Sequence, residues 1–242
     1  MTDVLVSSRI SDEFERALLL RGFNVIRLPE SRALSGSAVS THPDSLMLLL
    51  GDTLLTSCDY CDDAAYVLSD LREAHGDLRI CLCDVDMSPR FPDECAFNAA
   101  VVGNMLFARL DSLCESVKSY AEDQDIRLIG VKQGYPACAT LFLGERAITA
   151  DEGLARAYEA AGLRVTRISA GSISLPPHEY GFIGGASGVY GDTVYFFGDI
   201  TTHPDSRVIL DAIEEEGYRA VSLSRGGLVD LGGMIFLPEE RR

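Results

Sequence analysis

Tryptophan is absent and positive charge is scarce: 21 Lys and Arg stand against 37 Asp and Glu, a net charge of −16 over 242 residues. That balance excludes nucleic acid, whose binding needs clustered Lys and Arg to displace counterions. It excludes anionic membrane surfaces on the same ground, and the acidity reads as solubility. No apolar stretch approaches the roughly 18 residues of a membrane span. Met1 to Arg9 lacks the basic segment of a secretory leader. The seven cysteines are odd in number and scattered, which points to reduced thiols in a cytoplasm. Cys58, Cys61, Cys81 and Cys83 are poorly spaced for zinc. Neither a metal nor a cofactor is expected. Low-complexity tails are also missing and the apolar content is 47%, so almost the whole chain is available to fold around a core.

What is present is a repeat, clearest in the stretch GYPACATLFLGERAITADEGLARAYEAAGLRVTRI from Gly134 to Ile168. Residues 139–143 are apolar and β-rich, Gly144-Glu145 turns, and Ala147 to Thr149 returns as a second strand. Asp151 caps a helix that Gly162 ends. Leu163, Val165 and Ile168 begin a third strand. The unit is therefore β-turn-β-α-β.

The third-strand signature, an apolar residue after a helix stop, recurs at Phe23, Leu78, Ile126, Leu163 and Tyr218. These starts lie 55, 48, 37 and 55 residues apart, and 47 residues separate the last from the first around the chain ends. Hairpin turns fall at Gly51-Asp52, Gly103-Asn104, Gly144-Glu145 and Gly191-Asp192. A fifth turn should follow Met234 to Leu237. There the chain stops, and Val4 to Val6 can supply the returning strand instead. Asp12 to Leu20, capped by Ser11, is then the helix of that unit. The other helices are expected near 61–74, 111–121 and 205–216.

The expectation is one α/β domain over 1–242, a ring of five units at 23–77, 78–125, 126–162, 163–217 and 218–242 completed by 1–22. An open doubly wound sheet is the alternative. In a ring, the loops at 29–43, 84–95, 132–138, 169–188 and 224–233 converge on one axis, where a small-molecule ligand is expected. The oligomeric state is left open.

A closed ring of five ββαβ-type units, with the 134–168 stretch followed by GFIGGASG at 181–188, resembles the pentein fold of guanidino-group modifying enzymes. That superfamily holds arginine and agmatine deiminases, amidinotransferases, dimethylarginine hydrolases and a non-catalytic ribosome anti-association factor. The sequence is similar to an uncharacterised bacterial branch of it. The resemblance implies a Cys nucleophile, a His base and carboxylates that hold a planar cation.

Two registers distribute those roles differently. In the first, the superfamily's Gly-Gly-x-x-Cys falls on Gly184-Gly185-Ala186-Ser187-Gly188. The nucleophile is then lost, and Cys95 stands where the base should be. In the second, Cys138 is the nucleophile and His42 the base. Asp230, in Asp230-Leu231-Gly232-Gly233, is the third catalytic residue, and Asp44, Gly184, Gly185 and Ser187 bind substrate. The first implies a binding protein; the second implies a Cys-dependent hydrolase or transferase acting on a guanidino or amidino compound. No unit carries a Phe-x-Arg-Asp-like clamp. His42-Pro43-Asp44 recurs as His203-Pro204-Asp205, where Asp205 or Ser206 is expected to cap a helix.

Overall fold

The computed structural model describes residues 1–238. The chain opens with β1 (Thr2–Ser7), α1 (Asp12–Leu19) and β2 (Phe23–Leu28). A one-turn helix, α2 (Pro43–Leu46), leads into β3 (Met47–Leu50) and β4 (Thr53–Ser57). Helices α3 (Cys58–Asp63) and α4 (Ala65–Ala74) then cross over to β5 (Arg79–Cys83). The next unit is β6 (Ala100–Val102), β7 (Met105–Ala108), α5 (Glu115–Asp123) and β8 (Arg127–Gly130). It is followed by β9 (Thr140–Leu143), β10 (Arg146–Thr149), α6 (Glu152–Ala160) and β11 (Arg164–Arg167). The last are β12 (Ser187–Tyr190), β13 (Thr193–Phe196), α7 (Ser206–Glu215), β14 (Arg219–Ser222) and β15 (Ile235–Phe236).

These strands form five three-stranded sheets among the described residues. Four of them are an antiparallel hairpin whose second strand pairs in parallel with the strand after the helix, as in β9-β10-β11. The hairpin glycines Gly51, Gly103, Gly144 and Gly191 all have φ between 55° and 61°. That is the φ a two-residue turn matching the strand twist needs at its first position.

The fifth sheet has the order β15-β1-β2. Val4 faces Phe236 and Leu5 faces Ile235 in an antiparallel pair, and β1 runs parallel to β2 on its other edge. The two chain ends thus close the ring within one sheet, as the missing fifth turn implied. Val4, Leu5 and Val6 are fully buried. Alternation sends Leu5 into one apolar cluster and Val4 and Val6 into another with Phe14 and Leu18.

Each helix lays an apolar face on its own sheet, with Leu154, Ala155 and Tyr158 buried in α6 and Ile209, Ala212 and Ile213 in α7. Three of the five third strands follow a left-handed glycine, at Gly22, Gly162 and Gly217. Before β8 the same conformation falls on Asp125, at φ 55°. The crossover expected over 61–74 is two helices, with Ser57 capping the first. The helix expected from 111 starts at Glu115, after Cys114. Among the described residues no helix is long and apolar enough to cross a membrane.

The first strand of each sheet lies nearest the axis. Met47, Leu48, Val101, Val189 and Ile235, from four of these strands, line an axial cavity of about 440 Å³.

Candidate active site

Above the axial cavity the loops that enter the first strands place four polar side chains together. His42 is the residue before α2, and Pro43 follows at the first helical position, where its missing N–H costs no hydrogen bond. The His42 carbonyl accepts from Ser45 and Leu46. The turn is thereby fixed and Asp44 sits in its first turn. One helical turn thus separates His42 from β3.

Cys138 ends the loop into β9 and is only 2% exposed. Its thiol donates to Oδ2 of Asp44 at 2.6 Å. The Asn98 amide donates to the sulfur at 3.8 Å, while Asn98 Oδ1 accepts from the Ala137 N–H at 2.9 Å. Asp230 is 1% exposed. Its Oδ2 accepts from the Phe182 N–H at 2.8 Å and its Oδ1 from the Gly232 N–H at 3.1 Å. Nδ1 of His42 lies 3.8 Å from that Oδ1 and is buried without a hydrogen-bond partner.

The glycines around these groups are there for space. A Cβ on Gly185 would lie 1.9 Å from Asp230 Oδ1, and one on Gly181 2.4 Å from Asp230 Cβ. A Cβ on Gly232, at φ +76°, would lie 2.3 Å from His42 Cβ. The Gly-rich stretch at 181–188 and the Gly pair at 232–233 therefore let backbone close on Asp230 and His42.

His42, Cys138 and Asp230 line a second cavity, of about 320 Å³, with Tyr135, Leu175 and Phe182 among its walls. Asp44 is partly accessible from the axial cavity on the other side. Gly184 and Ser187 also face the axial cavity, and the Ser187 hydroxyl is committed to the Ile183 carbonyl at 2.7 Å. The seven candidate residues thus divide. Cys138, His42 and Asp230 face the upper cavity, and Asp44 bridges the two cavities. Gly185 supports Asp230, and Gly184 and Ser187 lie below.

Burial dominates the electrostatics. It holds the His42 imidazole down at about 3, helped by the charges of Arg9 and His178, so the ring is neutral at neutral pH. It lifts Asp44 to about 8, against the hydrogen bond from Cys138 and with help from the Asp230 charge. Asp230 rises only to about 6, because the Gly232 and Phe182 N–H groups stabilise its charged form. The Cys138 thiol is pushed well above its ordinary value by burial first and then by the charges of Asp44 and Asp230. With His42 neutral, no imidazolium offsets the carboxylates beside Cys138.

Donor atoms of His42, Asp44 and Cys138 lie within 4.8 Å of one another, a set with the chemistry to hold a borderline divalent ion. The Cys58 to Cys83 group forms no such cluster among the described residues.

Sequence reasoning missed Asn98. It stands two residues before β6, as Cys138 stands two before β9, so the repeat itself carried the signal. It placed the 169–188 loop at the axis without naming the wall that Leu175, Tyr180 and Phe182 form. The second His-Pro-Asp copy lies outside this site. His203 Nδ1 accepts from the Asp205 N–H at 3.1 Å, and the Asp205 carboxylate accepts from the Ser169 N–H. Asp205 holds the capping position of α7 without a side-chain cap bond.

Residues 5–235 match the sequence profile of DUF6873, a family of unknown function. The chain belongs to that family. No curated protein matches it. DUF6873 here takes a fold seen in solved structures of other proteins. A DDAH from Pseudomonas aeruginosa, in a serine-for-cysteine mutant complexed with citrulline, superposes with a TM-score of 0.57 at 10% identity, over 97% of this chain and 98% of that one. An amidinotransferase from Microseira wollei in the saxitoxin biosynthetic pathway gives 0.62 at 10% identity, over 99% and 95%. An inosamine-phosphate amidinotransferase from Streptomyces griseus gives 0.57 at 12% identity, over 99% and 94%. At these identities the likeness speaks for the fold alone: this DUF6873 chain is a five-bladed pentein-like propeller.

Proposed function

We propose that the upper cavity is the reaction centre of a Cys-dependent hydrolase or transferase acting on the planar cationic carbon of a guanidino or amidino compound. The observation that carries this reading is the convergence, from three separate loops, of a buried thiol, a neutral imidazole and the Asp230 carboxylate on one cavity, with the Asp44 carboxylate hydrogen-bonded to the thiol behind it.

The physical argument concerns charge. In the free protein the thiol faces two carboxylates and stays protonated. A planar cation entering between Asp44, Asp230 and Cys138 offsets the charge of Asp230 and favours ionisation of Asp44. It favours the charged carboxylates and removes the repulsion that opposes a thiolate. The site therefore ionises its nucleophile only when occupied. The thiolate then forms a C–S bond to the central carbon. The tetrahedral adduct expels one nitrogen as an amine, which leaves with the proton given up by the Cys138 thiol and relayed by His42. Water, or a second amine in a transferase, cleaves the C–S bond and returns the thiol. Asn98 orients the sulfur.

One observation favours a second reading, a protein that binds such a cation without reacting. The thiol is inert by burial and by charge until something else fills the cavity. A labelling experiment separates the two. Chloroacetamidine carries the cation and a displaceable chloride, whereas chloroacetamide carries only the chloride. The enzyme reading expects chloroacetamidine to alkylate Cys138 first among the seven cysteines, about tenfold or more faster than the amide. Equal and slow labelling of Cys138 by both reagents favours the binder.

A further inference from the structure

The buried end of the upper cavity is chemically distinct from its walls. Toward the mouth the walls are Val39, Tyr135, Leu175, Tyr180 and Phe182. Two polar side chains of the lining, Gln133 and Tyr135, are already committed. Gln133 donates through Nε2 to Asp151 at 2.8 Å and accepts at Oε1 from the Tyr135 N–H at 3.2 Å. The Tyr135 hydroxyl donates to Glu94, whose other oxygen takes the Ser37 hydroxyl at 2.6 Å.

Charge at the mouth has one sign. None of the described residues lining the cavity is Lys or Arg; the charged lining residues are Asp230 and Glu179, with His42 and His178 the only imidazoles. Nearby guanidinium groups are occupied. Arg9 is held by Glu30, Ser40 and the Ala38 carbonyl. Arg109 is held by Asp111 and the Lys132 carbonyl and stacks 5.1 Å over Phe91.

A ligand carboxylate here would lie against Leu175, Tyr180 and Phe182 with no Lys or Arg in the lining to pair it, beside Glu179. Placing a carboxylate against apolar side chains without paired donors is unfavourable. An uncharged ring or alkyl chain meets the opposite situation and gains by burial.

Building on the proposed function, we infer that the substrate of this site is not an amino acid: it is a guanidine or amidine whose remaining body is an uncharged aromatic or aliphatic group without a carboxylate. Leu175, Tyr180 and Phe182 hold that body, and Glu179 repels acidic alternatives.

The test is calorimetric titration of the full chain with three probes: methylguanidine, phenethylguanidine and arginine. Methylguanidine is the head alone. Phenethylguanidine should bind roughly tenfold more tightly than both methylguanidine and arginine. Leu175→Ser should weaken phenethylguanidine by about fivefold while leaving methylguanidine within about twofold. Glu179→Gln should bring arginine closer to methylguanidine. Arginine binding as tightly as phenethylguanidine, with the advantage lost in His178→Ala or Lys132→Ala, overturns the inference and leaves the head site standing. If methylguanidine neither binds nor slows alkylation of Cys138, the proposed function fails as well.

Discussion

The thiol of Cys138 lies 2.6 Å from Oδ2 of Asp44, across 94 residues of sequence and between two cavities. Asp44 releases its proton near pH 8, and the thiol only well above its ordinary value. Apparent titration values here belong to the pair.

Asp44→Asn removes one negative charge beside the sulfur. The pH profile of Cys138 alkylation by iodoacetamide should shift down by about one unit or more in this variant. Peptide mapping isolates Cys138 from the other six cysteines. An unshifted profile would mean that burial alone sets the thiol.

The same substitution has a stability signature. The folded pKa of Asp44 is raised above its ordinary 3.8 to about 8, so folding favours its protonated form. Its contribution is most favourable below pH 4 and is lost as pH rises through 8. An Asn removes that loss. The melting temperature of Asp44→Asn relative to the parent should therefore rise between pH 5 and pH 8.5, by about 2 °C or more. His42 acts in the opposite sense. Its folded pKa is lowered to about 3, so its contribution is present above 6.5 and lost as pH falls. His42 is common to parent and variant, so its effect cancels in the difference between them.

Ring closure rests on β1. Deleting residues 1–8 removes the strand between β15 and β2 and strips Val4, Leu5 and Val6 from two apolar clusters, each worth about 1.5–3 kcal/mol when buried. The truncated chain should unfold or aggregate through its exposed edges. A truncation that melts with the parent would contradict the closed ring.

Two glycines in neighbouring loops should respond unequally to alanine. Gly185→Ala drives a Cβ to 1.9 Å from Asp230 Oδ1, whose carboxylate is pinned by two backbone N–H groups. It should cost about 2 kcal/mol or more in urea unfolding. Gly226→Ala meets nothing closer than 3.7 Å, so it should stay within about 0.5 kcal/mol. Equal effects would show that Asp230 moves freely.

The ring was legible because hairpin glycines and apolar strand starts recur with the chain, and each is a local necessity of turn or burial. The repeat reading was blind at Asp125, where an aspartate adopts the left-handed conformation that Gly162 and Gly217 fill elsewhere. Cys138, His42 and Asp230 could be named from the sequence because residue chemistry singled them out in loops. That Ser187 faces the axial cavity while Asp230 faces the upper one could not be. A shift of one residue along a strand exchanges its faces, and the register of β12 against β13 is fixed only by tertiary pairing. The titration of the site was illegible for a related reason: burial sets it, and burial belongs to the fold.

The central claim is that the thiol stays protonated in the empty site and ionises when a planar cation enters. Thiolate absorbance in the ultraviolet, taken as the difference between the parent and Cys138→Ser, reports it directly when titrated with and without saturating methylguanidine. The account predicts that methylguanidine lowers the apparent pKa of Cys138 by about one unit or more, and that Asp230→Asn diminishes the shift. An apparent pKa that methylguanidine leaves unchanged or raises, while calorimetry shows the site filled, would contradict it.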